Sequence, residues 1–482
     1  MARQHSLAQK AMSVAEFVKG VHDGQIDVVE HIHRTLEECK IINKEYGYLN
    51  LISEESAIAQ AKLVSKKRKG AKGALAGLPV SIKDSICVKG VESTAGSAML
   101  KGYIPPFDAG CVSRLRQAGA IIVGKTAQDE FGFGSFSTNT GIGFTAPKNP
   151  FDRLRSCGGS SGGAAGLAQK LSVPHVALGE STGGSIVNPA SFCGVVGLCP
   201  TYGRVSRYGL IDYGSSLDKV GPIGKTVADV ALALKVIAGF DEKESTTATV
   251  PVEDYPSFVK KDVAGLRVGI LKESFGEGTD SAVEKSVWGA IKQLESAGVD
   301  CREISLKIPI EYGIPTYYII APSEASTNLA KLCGLRYGAE EKIEGDFNTY
   351  FSEVRSRAFG KEAKRRIMLG TFTRMAGYRD AYYVKATKVR RLIIDEYKNV
   401  FKKCDAVISP TVSILPPRFD EIKNLTPAQN YLIDALTVSP NLAGLPHLNM
   451  PVGKHNGLPI GAMLTTDHFK EGVLVQLGAA LE

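Results

Sequence analysis

The alternation of hydrophobic and polar residues predicts two amphipathic helices near the start of the chain. Ser13 and Glu16 have the spacing of a capping box, which begins a helix. Gly24 supplies the residue type that commonly ends one. A second helix follows Asp27, because hydrophobic residues then recur at intervals of three or four, at Val28, Ile32, Leu36 and Cys39. The segment of about 1–70 is therefore predicted to be mainly helical.

Short apolar strands alternate with helices through the rest of the chain. The stretch 78–83 has strand alternation, with Val80 and Ile82 on one face and Ser81 and Lys83 on the other. Further strands are predicted at 121–123, 173–178, 266–271 and 406–408, and helices at 109–119 and 281–297. This alternation indicates the α/β class.

Composition narrows the class of protein further. Hydrophobic residues make up 44% of the chain and charged residues 22%, as in ordinary globular proteins. The chain has no apolar run near the ~18–20 residues that span a bilayer, and the first fifteen residues lack the apolar core of a secretory signal. The nine cysteines are odd in number and include no Cys-x-x-Cys pair, which favours a reducing cytoplasm. We predict no metal site, because no closely spaced Cys/His ligand pairs occur.

The net charge of +8 is modest for 482 residues. Its densest part is the basic run at 66–72, which would attract nucleic acid electrostatically. No aromatic residues interleave with this run, and no recognition-helix pattern follows it. A solvated loop is therefore the favoured interpretation.

Two glycine-rich blocks carry the strongest chemical signal. The first, at 157–166, places Ser160 and Ser161 among glycines, and the second, at 179–186, places Ser185 directly after Thr182, Gly183 and Gly184. Glycine lets a backbone approach a ligand closely and leaves its amide groups accessible. Such amides stabilise an oxyanion as it forms. We therefore predict a serine nucleophile beside an amide cradle.

A serine nucleophile needs a base, and Lys83 is the best candidate. None of the eight histidines lies in a recognisable catalytic context, whereas Lys83 ends a predicted strand among apolar neighbours. Burial there would disfavour the charged ammonium and leave an amine that accepts a proton near neutral pH.

The two blocks and the strand at 80–84 resemble the amidase signature family. The resemblance implies a mixed central sheet flanked by helices on both faces, in one domain over 1–482. It implies a Ser–cis-Ser–Lys triad, with Ser185 as nucleophile, Ser160 as bridging serine and Lys83 as base, and an oxyanion hole at Thr182, Gly183 and Gly184. The catalytic core would cover about 71–240, and the region of about 263–482 would complete the substrate pocket.

Further stretches resemble the glutamine-hydrolysing chains of tRNA-dependent amidotransferases within this family, at 129–135, 200–209, 365–370 and 441–446. The resemblance implies glutamine hydrolysis and delivery of ammonia to a partner that amidates Glu-tRNA(Gln) or Asp-tRNA(Asn). It also implies a heterotrimer with B and C subunits, with ATP and magnesium in the partner and no cofactor in this chain. A free-standing amidase acting on another small carboxamide is the alternative.

Free glutamine carries a carboxylate and an ammonium group, which call for an arginine fork and a carboxylate in the pocket. By resemblance, Arg366 would bind the carboxylate and Asp434 the ammonium, with Tyr317 lining the site. Arg365 remains an alternative to Arg366.

The chain departs from the family pattern at two positions. Ser181 stands where an acidic residue is usual, and Val187 where arginine is usual, with Glu180 a candidate to compensate for the first. The loop between the serines is also one residue longer than the commonest form, which leaves Ser161 as an alternative bridge to Ser160.

Two other motifs are rejected on physical grounds. The stretch 119–126 matches the Walker A pattern, but its interior is itself an apolar strand and offers no amide nest for phosphate. The stretch 158–162 matches Gly-x-Ser-x-Gly, but turn and loop precede it where a nucleophile elbow requires a strand.

Overall fold

The computed structural model describes residues 12–66 and 73–482. Residues 1–11 and 67–72 lie outside these ranges. The predictions for the start of the chain and for the basic run after Lys66 therefore fall outside the described residues. Within the described ranges, no helix is both long enough and apolar enough to cross a membrane.

The described residues contain one sheet of eleven strands. In chain order the strands are β1 (Leu49–Ile52), β2 (Pro79–Lys83), β3 (Ile121–Thr126), β4 (Val176–Ser181), β5 (Val196–Cys199), β6 (Lys219–Gly224), β7 (Arg267–Leu271), β8 (Asp300–Ile304), β9 (Ala406–Pro410), β10 (His447–His455) and β11 (Leu458–Thr466). Their order across the sheet is β1-β3-β2-β4-β6-β5-β10-β11-β9-β7-β8. The neighbours of β2 and of β7 run parallel to them, and the other pairs are antiparallel. The predicted mixed sheet is confirmed.

The α-helices of the described residues are α1 (Val14–His22), α2 (Val28–Tyr46), α3 (Glu54–Lys66), α4 (Gly110–Gln117), α5 (Gly162–Lys170), α6 (Val187–Cys193), α7 (Val227–Ile237), α8 (Ser281–Ser296), α9 (Lys307–Asn328), α10 (Phe347–Ala358), α11 (Lys361–Arg374), α12 (Lys385–Val400), α13 (Phe419–Lys423), α14 (Pro427–Tyr431), α15 (Val438–Leu442) and α16 (Glu471–Leu481). Short 3-10 helices cover Ala98–Leu100, Glu130–Gly132, Tyr255–Lys260, Lys272–Ser274, Leu329–Lys331 and Leu432–Asp434, and a π-helical turn covers Asp380–Val384.

Helices cover both faces of the sheet, as predicted. Strand β4 illustrates the division, because successive side chains of a strand point to opposite faces. Val176 and Leu178 belong to a core that includes residues of α7, α8 and α16. Ala177, between them, packs in a separate core with residues of α5 and α6. The strands are therefore buried on both faces.

Most predicted strand starts agree with the structure, but β3, β4 and β9 end two or three residues beyond their predicted ends. Strands β2 and β7 begin within one residue of the predicted starts. The strand predicted at 173–178 instead covers Val176–Ser181 and continues through Gly179. The reason is its neighbour, because Gly179 pairs with Gly221 and Ser181 with Lys219 of β6. The division of the chain into a helical segment, a core and a completing region stays a prediction.

The sheet brings the two predicted reactive segments together. β2 and β4 are parallel neighbours, with Ile82 opposite Leu178. Carboxyl ends of parallel strands meet at one edge of a sheet, where binding sites commonly lie. Lys83 ends β2 at this edge, and the segment 182–185 follows β4 there.

Candidate active site

Lys83 lies at the centre of the site and is fully buried. Its Nζ donates to Ser160 Oγ at 2.7 Å and to the Glu180 carbonyl oxygen at 3.0 Å. It also forms an ion pair with Glu180 Oε2 at 2.9 Å. We call Lys83, Ser160 and Glu180 the base cluster.

The surroundings of Lys83 correct the prediction of apolar neighbours, and the uncharged amine stays a prediction. Three oxygen atoms surround Nζ, and an ammonium has three N–H donors to satisfy them. A carboxylate at 2.9 Å also favours the charged form of an amine. The prediction that Lys83 is buried is confirmed. The prediction did not include the Glu180 carboxylate, which lies beside the lysine.

Ser160, rather than Ser161, contacts the lysine. The peptide bond between Gly159 and Ser160 is cis, and the Ser160 hydroxyl accepts the Lys83 hydrogen bond. Ser161 instead donates its hydroxyl to the Glu180 carbonyl oxygen at 3.1 Å, and it immediately precedes α5. Of the two serines, Ser160 is therefore the one placed beside Lys83, and its role as the bridging serine stays a prediction.

The Asp129 carboxylate fixes the loop at 137–139, against which Gly159, the residue before Ser160, is packed. Its carboxylate accepts hydrogen bonds from the amides of Ser137 at 3.0 Å and Asn139 at 2.8 Å. Gly134 and Gly159 lie so close to this carboxylate that a Cβ at either would overlap it. Burial raises the pKa of Asp129 to about 6, against the lowering effect of these amides and of Lys83.

Ser185 follows a turn built from glycines, for which the packing gives a physical reason. A Cβ on Gly183 would lie 3.0 Å from the Tyr317 ring, and one on Gly184 would lie 2.6 Å from Asn188. The Ser185 carbonyl accepts from the Ser161 amide at 3.2 Å, which joins the two blocks. Within the described ranges the hydroxyls of Ser160 and Ser185 are not hydrogen-bonded to each other.

The backbone beside Ser185 has the features of an oxyanion hole. The Gly184 carbonyl accepts from the Asn188 amide at 2.8 Å, and the Gly183 carbonyl accepts from the Asn441 side chain. Across residues 12–66 and 73–482, the amides of Thr182, Gly183 and Gly184 donate no hydrogen bond. The three amides thus have no acceptor within these ranges, and their catalytic role stays a prediction.

The three predicted substrate residues share one buried region, which we call the aromatic chamber: Arg366, Asp434, Phe133, Tyr213, Tyr317, Tyr318 and Tyr431. The Arg366 guanidinium lies over four of these rings, with its Cζ 5.3–5.7 Å from the ring centroids. It donates through Nε to Glu362 at 2.9 Å and through Nη1 to the Tyr213 hydroxyl at 2.5 Å. A cation so surrounded is held in one orientation.

Asp434 is held by three donors from different parts of the chain. Ser135 Oγ donates at 2.6 Å, Asn188 Nδ2 at 2.6 Å and the Tyr318 hydroxyl at 2.9 Å. Burial raises the pKa of Asp434, and these donors and the charge of Arg366 oppose that rise. A cationic ligand would stabilise the Asp434 carboxylate further, because a buried carboxylate is stabilised by an opposite charge.

Tyr317 and its neighbour link the chamber to the segment before Ser185. The Tyr317 hydroxyl shares a hydrogen bond of 2.8 Å with Thr182 Oγ1. Burial raises the pKa of Tyr317 and Tyr318 well above the usual range, so both remain neutral phenols. The chamber therefore contacts the predicted oxyanion hole directly.

The alternative arginine points elsewhere. Arg365 is about one-third exposed and pairs with the outer side of Glu362, whereas Arg366 is 3% exposed. Adjacent helical residues point about 100° apart, so only one of the two can face the chamber. Gly370, one turn further along α11, lies against the Pro322 carbonyl of α9, where a Cβ would overlap it.

Comparison with known proteins agrees with this geometry. The Amidase family model matches residues 30–475. The chain belongs to the amidase family. It is 47% identical over 435 residues to the A subunit of glutamyl-tRNA(Gln) amidotransferase from Microcystis aeruginosa, covering 89% of each chain. The corresponding protein of Caldanaerobacter subterraneus is 43% identical, with 98% of this chain and 96% of the relative covered.

The solved structure of the glutamyl-tRNA(Gln) amidotransferase A subunit from Thermotoga maritima has the same fold. Its TM-score is 0.80 at 34% identity, with 98% of this chain and 94% of that chain covered. Amidase family membership was predicted from the motifs and is confirmed.

In this amidase, sequence reasoning identified few of the residues that hold the site. Glu180 was considered only as a compensation for Ser181, yet it is the ion-pair partner of Lys83. Val187, at the other departure, is a buried apolar residue that begins α6. Tyr318 and Asn188 were missed. Their only sequence signal is adjacency to Tyr317 and to the second glycine-rich block.

Proposed function

We propose that this chain hydrolyses glutamine as the amidase component of a tRNA-dependent amidotransferase. Relatives that are 43–47% identical over 89% or more of this chain are named as the A subunits of glutamyl-tRNA(Gln) amidotransferases. The chemistry of the buried site agrees with a small zwitterionic amide as substrate.

The single observation that carries the proposal is the pairing of Arg366 and Asp434 in one chamber. Both are at most 4% exposed, and Tyr318 contacts both, with its ring beside the guanidinium and its hydroxyl on the carboxylate. Free glutamine offers a carboxylate to the first and an ammonium to the second. An amide without these two charges would gain no ion pair with either group.

The reaction begins at Ser185. Lys83 accepts the proton of Ser160, which accepts the proton of Ser185 as its oxygen attacks the amide carbon. The amides of Thr182, Gly183 and Gly184 stabilise the resulting oxyanion. The proton returns through Ser160 to the amide nitrogen, ammonia leaves, and water resolves the acyl ester.

Ammonia then serves a second reaction in partner subunits. We propose a heterotrimer with B and C subunits in the cytoplasm, in which the partner binds misacylated tRNA and uses ATP and magnesium. None of the steps assigned to this chain requires either cofactor.

Reconstitution tests the proposal. The full chain is purified alone and together with the B and C subunits from the same genome, then supplied with glutamine, ATP, magnesium and Glu-tRNA(Gln). We expect weak glutamine hydrolysis by the chain alone and amidated tRNA from the assembly. A chain that is fully active alone on other small carboxamides, with no tRNA amidation in the assembly, would identify a free-standing amidase instead.

A further inference from the structure

Glu180 is the charged neighbour of Lys83, and the triad chemistry gives it no role. Its side chain is 3% exposed, and its Oε2 lies 2.9 Å from Nζ. Its other oxygen, Oε1, is buried and has no hydrogen-bond partner in the part of the chain that the structure describes. A buried carboxylate oxygen without a donor is an unmet hydrogen-bonding group directly beside Lys83.

Three oxygen atoms lie within hydrogen-bond distance of Nζ of Lys83. An ammonium that donates to all three has no free electron pair and cannot act as a base. A base must first lose one proton. Glu180 Oε2 is a carboxylate oxygen within reach of Nζ, whereas Ser160 Oγ and the Glu180 carbonyl are neutral.

We propose that Glu180 is a positioning residue that takes one proton from Lys83 and so creates the amine that serves as base. The Nζ–H bond breaks and an Oε2–H bond forms, which turns an ion pair into a neutral pair. The amine then rotates about its terminal carbon–nitrogen bond until its electron pair faces Ser160 Oγ. The amine accepts the proton of Ser160 and later returns it through Ser160 to the amide nitrogen, which leaves as ammonia. Glu180 then gives its proton back to Lys83, which restores the ammonium.

This role for Glu180 rests on the proposed hydrolytic function but concerns the base alone. It explains why a carboxylate tolerates burial beside the triad, and it keeps the proton within the pair rather than in solvent. The pH dependence of the reaction should therefore change when the carboxylate is removed.

Other titratable groups near the pair are accounted for by their environment. Burial, and after it the charge of Glu180, raises the pKa of Asp218 well above its ordinary value. Burial also raises the pKa of the Cys199 thiol. Asp129, on the Ser160 side, has a pKa of about 6 and is hydrogen-bonded to loop amides. Glu180 is the carboxylate that contacts Nζ directly.

The test is the pH profile of kcat/KM for E180Q, measured on the full chain in the assembly in which it purifies. With Glu180, the pair keeps one proton and supplies the amine internally. Without it, Lys83 must release its proton to solvent. We expect kcat/KM at pH 7 to fall on the order of a hundredfold, with the acid limb moved upward by about one to two pH units and activity recovering at alkaline pH.

If Glu180 serves only as a counterion, the acid limb of the E180Q profile should move in the opposite direction. Removing it would make a buried ammonium lose its proton more easily, so the acid limb would move downward. That outcome, or an unchanged profile, overturns the inference. E180D supplies a second variant: it retains a carboxylate, so the acid limb should stay within about half a pH unit while the rate falls. A downward shift in E180D overturns the inference even if E180Q does not fold.

Two substrates separate this inference from the proposed function. The profiles are measured with glutamine and with a neutral anilide amide. Failure of the wild-type chain on glutamine alone counts against the proposed function. The direction in which the acid limb moves, with whichever amide is hydrolysed, decides the role of Glu180.

Discussion

Lys83 and Arg366 are both buried cations, but different parts of the fold hold them. Lys83 lies at the end of a strand and is fixed by oxygen atoms of residues on neighbouring segments of the sheet edge. Arg366 lies on α11 and is held by the faces of aromatic rings and by Glu362. The base cluster thus depends on the sheet, whereas the aromatic chamber depends on how α11 packs against α9.

This difference has a consequence for the two kinds of function. Changes in the base cluster should remove chemistry with little effect on substrate affinity. Changes in the aromatic chamber or in its supporting helices should weaken substrate binding, because they misplace the groups that recognise the charged end of glutamine.

The largest effect is expected at the nucleophile. In S185A the glutamine-dependent amidation of tRNA should fall by at least about 10⁴-fold, because no acyl ester can form. Ammonia-dependent amidation should persist, since free ammonia bypasses this site. Both activities are measured on one purified assembly, and loss of both in a folded assembly would contradict the division of labour.

Substitutions in the base cluster should follow closely. K83A and S160A should each lower glutamine hydrolysis by about 10²–10⁴-fold through kcat, with KM changed less than about threefold. S161A is the matched control and should stay within about tenfold of wild type, because among the described residues the Ser161 hydroxyl hydrogen-bonds only to the Glu180 carbonyl oxygen. A larger loss in S161A than in S160A would reassign the bridging serine.

The base cluster also shows which parts of the site could be predicted from the sequence and which could not. The alternation in 78–83 placed Lys83 on the polar face of its strand, and the glycine-rich blocks located the serines, because both signals are local. The contact between Lys83 and Glu180 spans 97 positions and arises from the register of β2 beside β4, which no local pattern reveals. The same applies to Asn188 and Asp434, which are 246 positions apart.

The choice between Arg365 and Arg366 could not be made from a local sequence pattern either. Both residues lie on one helix, and the side that faces inward is decided by the close contact of Gly370 with Pro322. The surroundings of Lys83 were predicted wrongly for a related reason: its strand neighbours are apolar, but Glu180 comes from another strand.

The aromatic chamber provides a contrasting test. R366K should raise KM for glutamine by about 30–100-fold with a smaller change in kcat, because lysine cannot reproduce the bidentate fork or the contacts with the rings. R365K, one position earlier and partly exposed, should change KM less than about threefold. Equal effects in both variants would contradict the assignment of Arg366 to the substrate carboxylate.

Helix packing behind the chamber should be sensitive to a single methyl group. G370A places a Cβ against the Pro322 carbonyl and should lower the free energy of unfolding by about 3 kcal/mol, with a raised KM. G289A is the control: this glycine of α8 has no atom within 4 Å of an added Cβ. It should be neutral or stabilising by up to about 1 kcal/mol in chemical denaturation.

The smallest effect is a pH dependence of stability at Glu130, which accepts from the Gly360 amide directly before α11. Burial raises the pKa of Glu130 to about 7, against its hydrogen bonds. A raised folded-state pKa means that the native chain binds more protons than the unfolded chain between pH 4.5 and 7. Its stability therefore falls as pH rises through this window.

Chemical denaturation measures this contribution. The wild-type chain should lose about 1 kcal/mol between pH 6 and pH 7 relative to E130Q, which has no proton to release. E130Q retains an oxygen that can accept from Gly360. Parallel stability curves for the two proteins would show that Glu130 does not titrate in this range.

The most direct test of the central claim is peptide mapping by mass spectrometry after reaction with an electrophilic glutamine analogue. We predict one covalent adduct on Ser185, absent in S185A and formed more slowly in K83A and R366K. An adduct on another residue, or equal labelling of S185A, would contradict the assignment of Ser185 as the nucleophile.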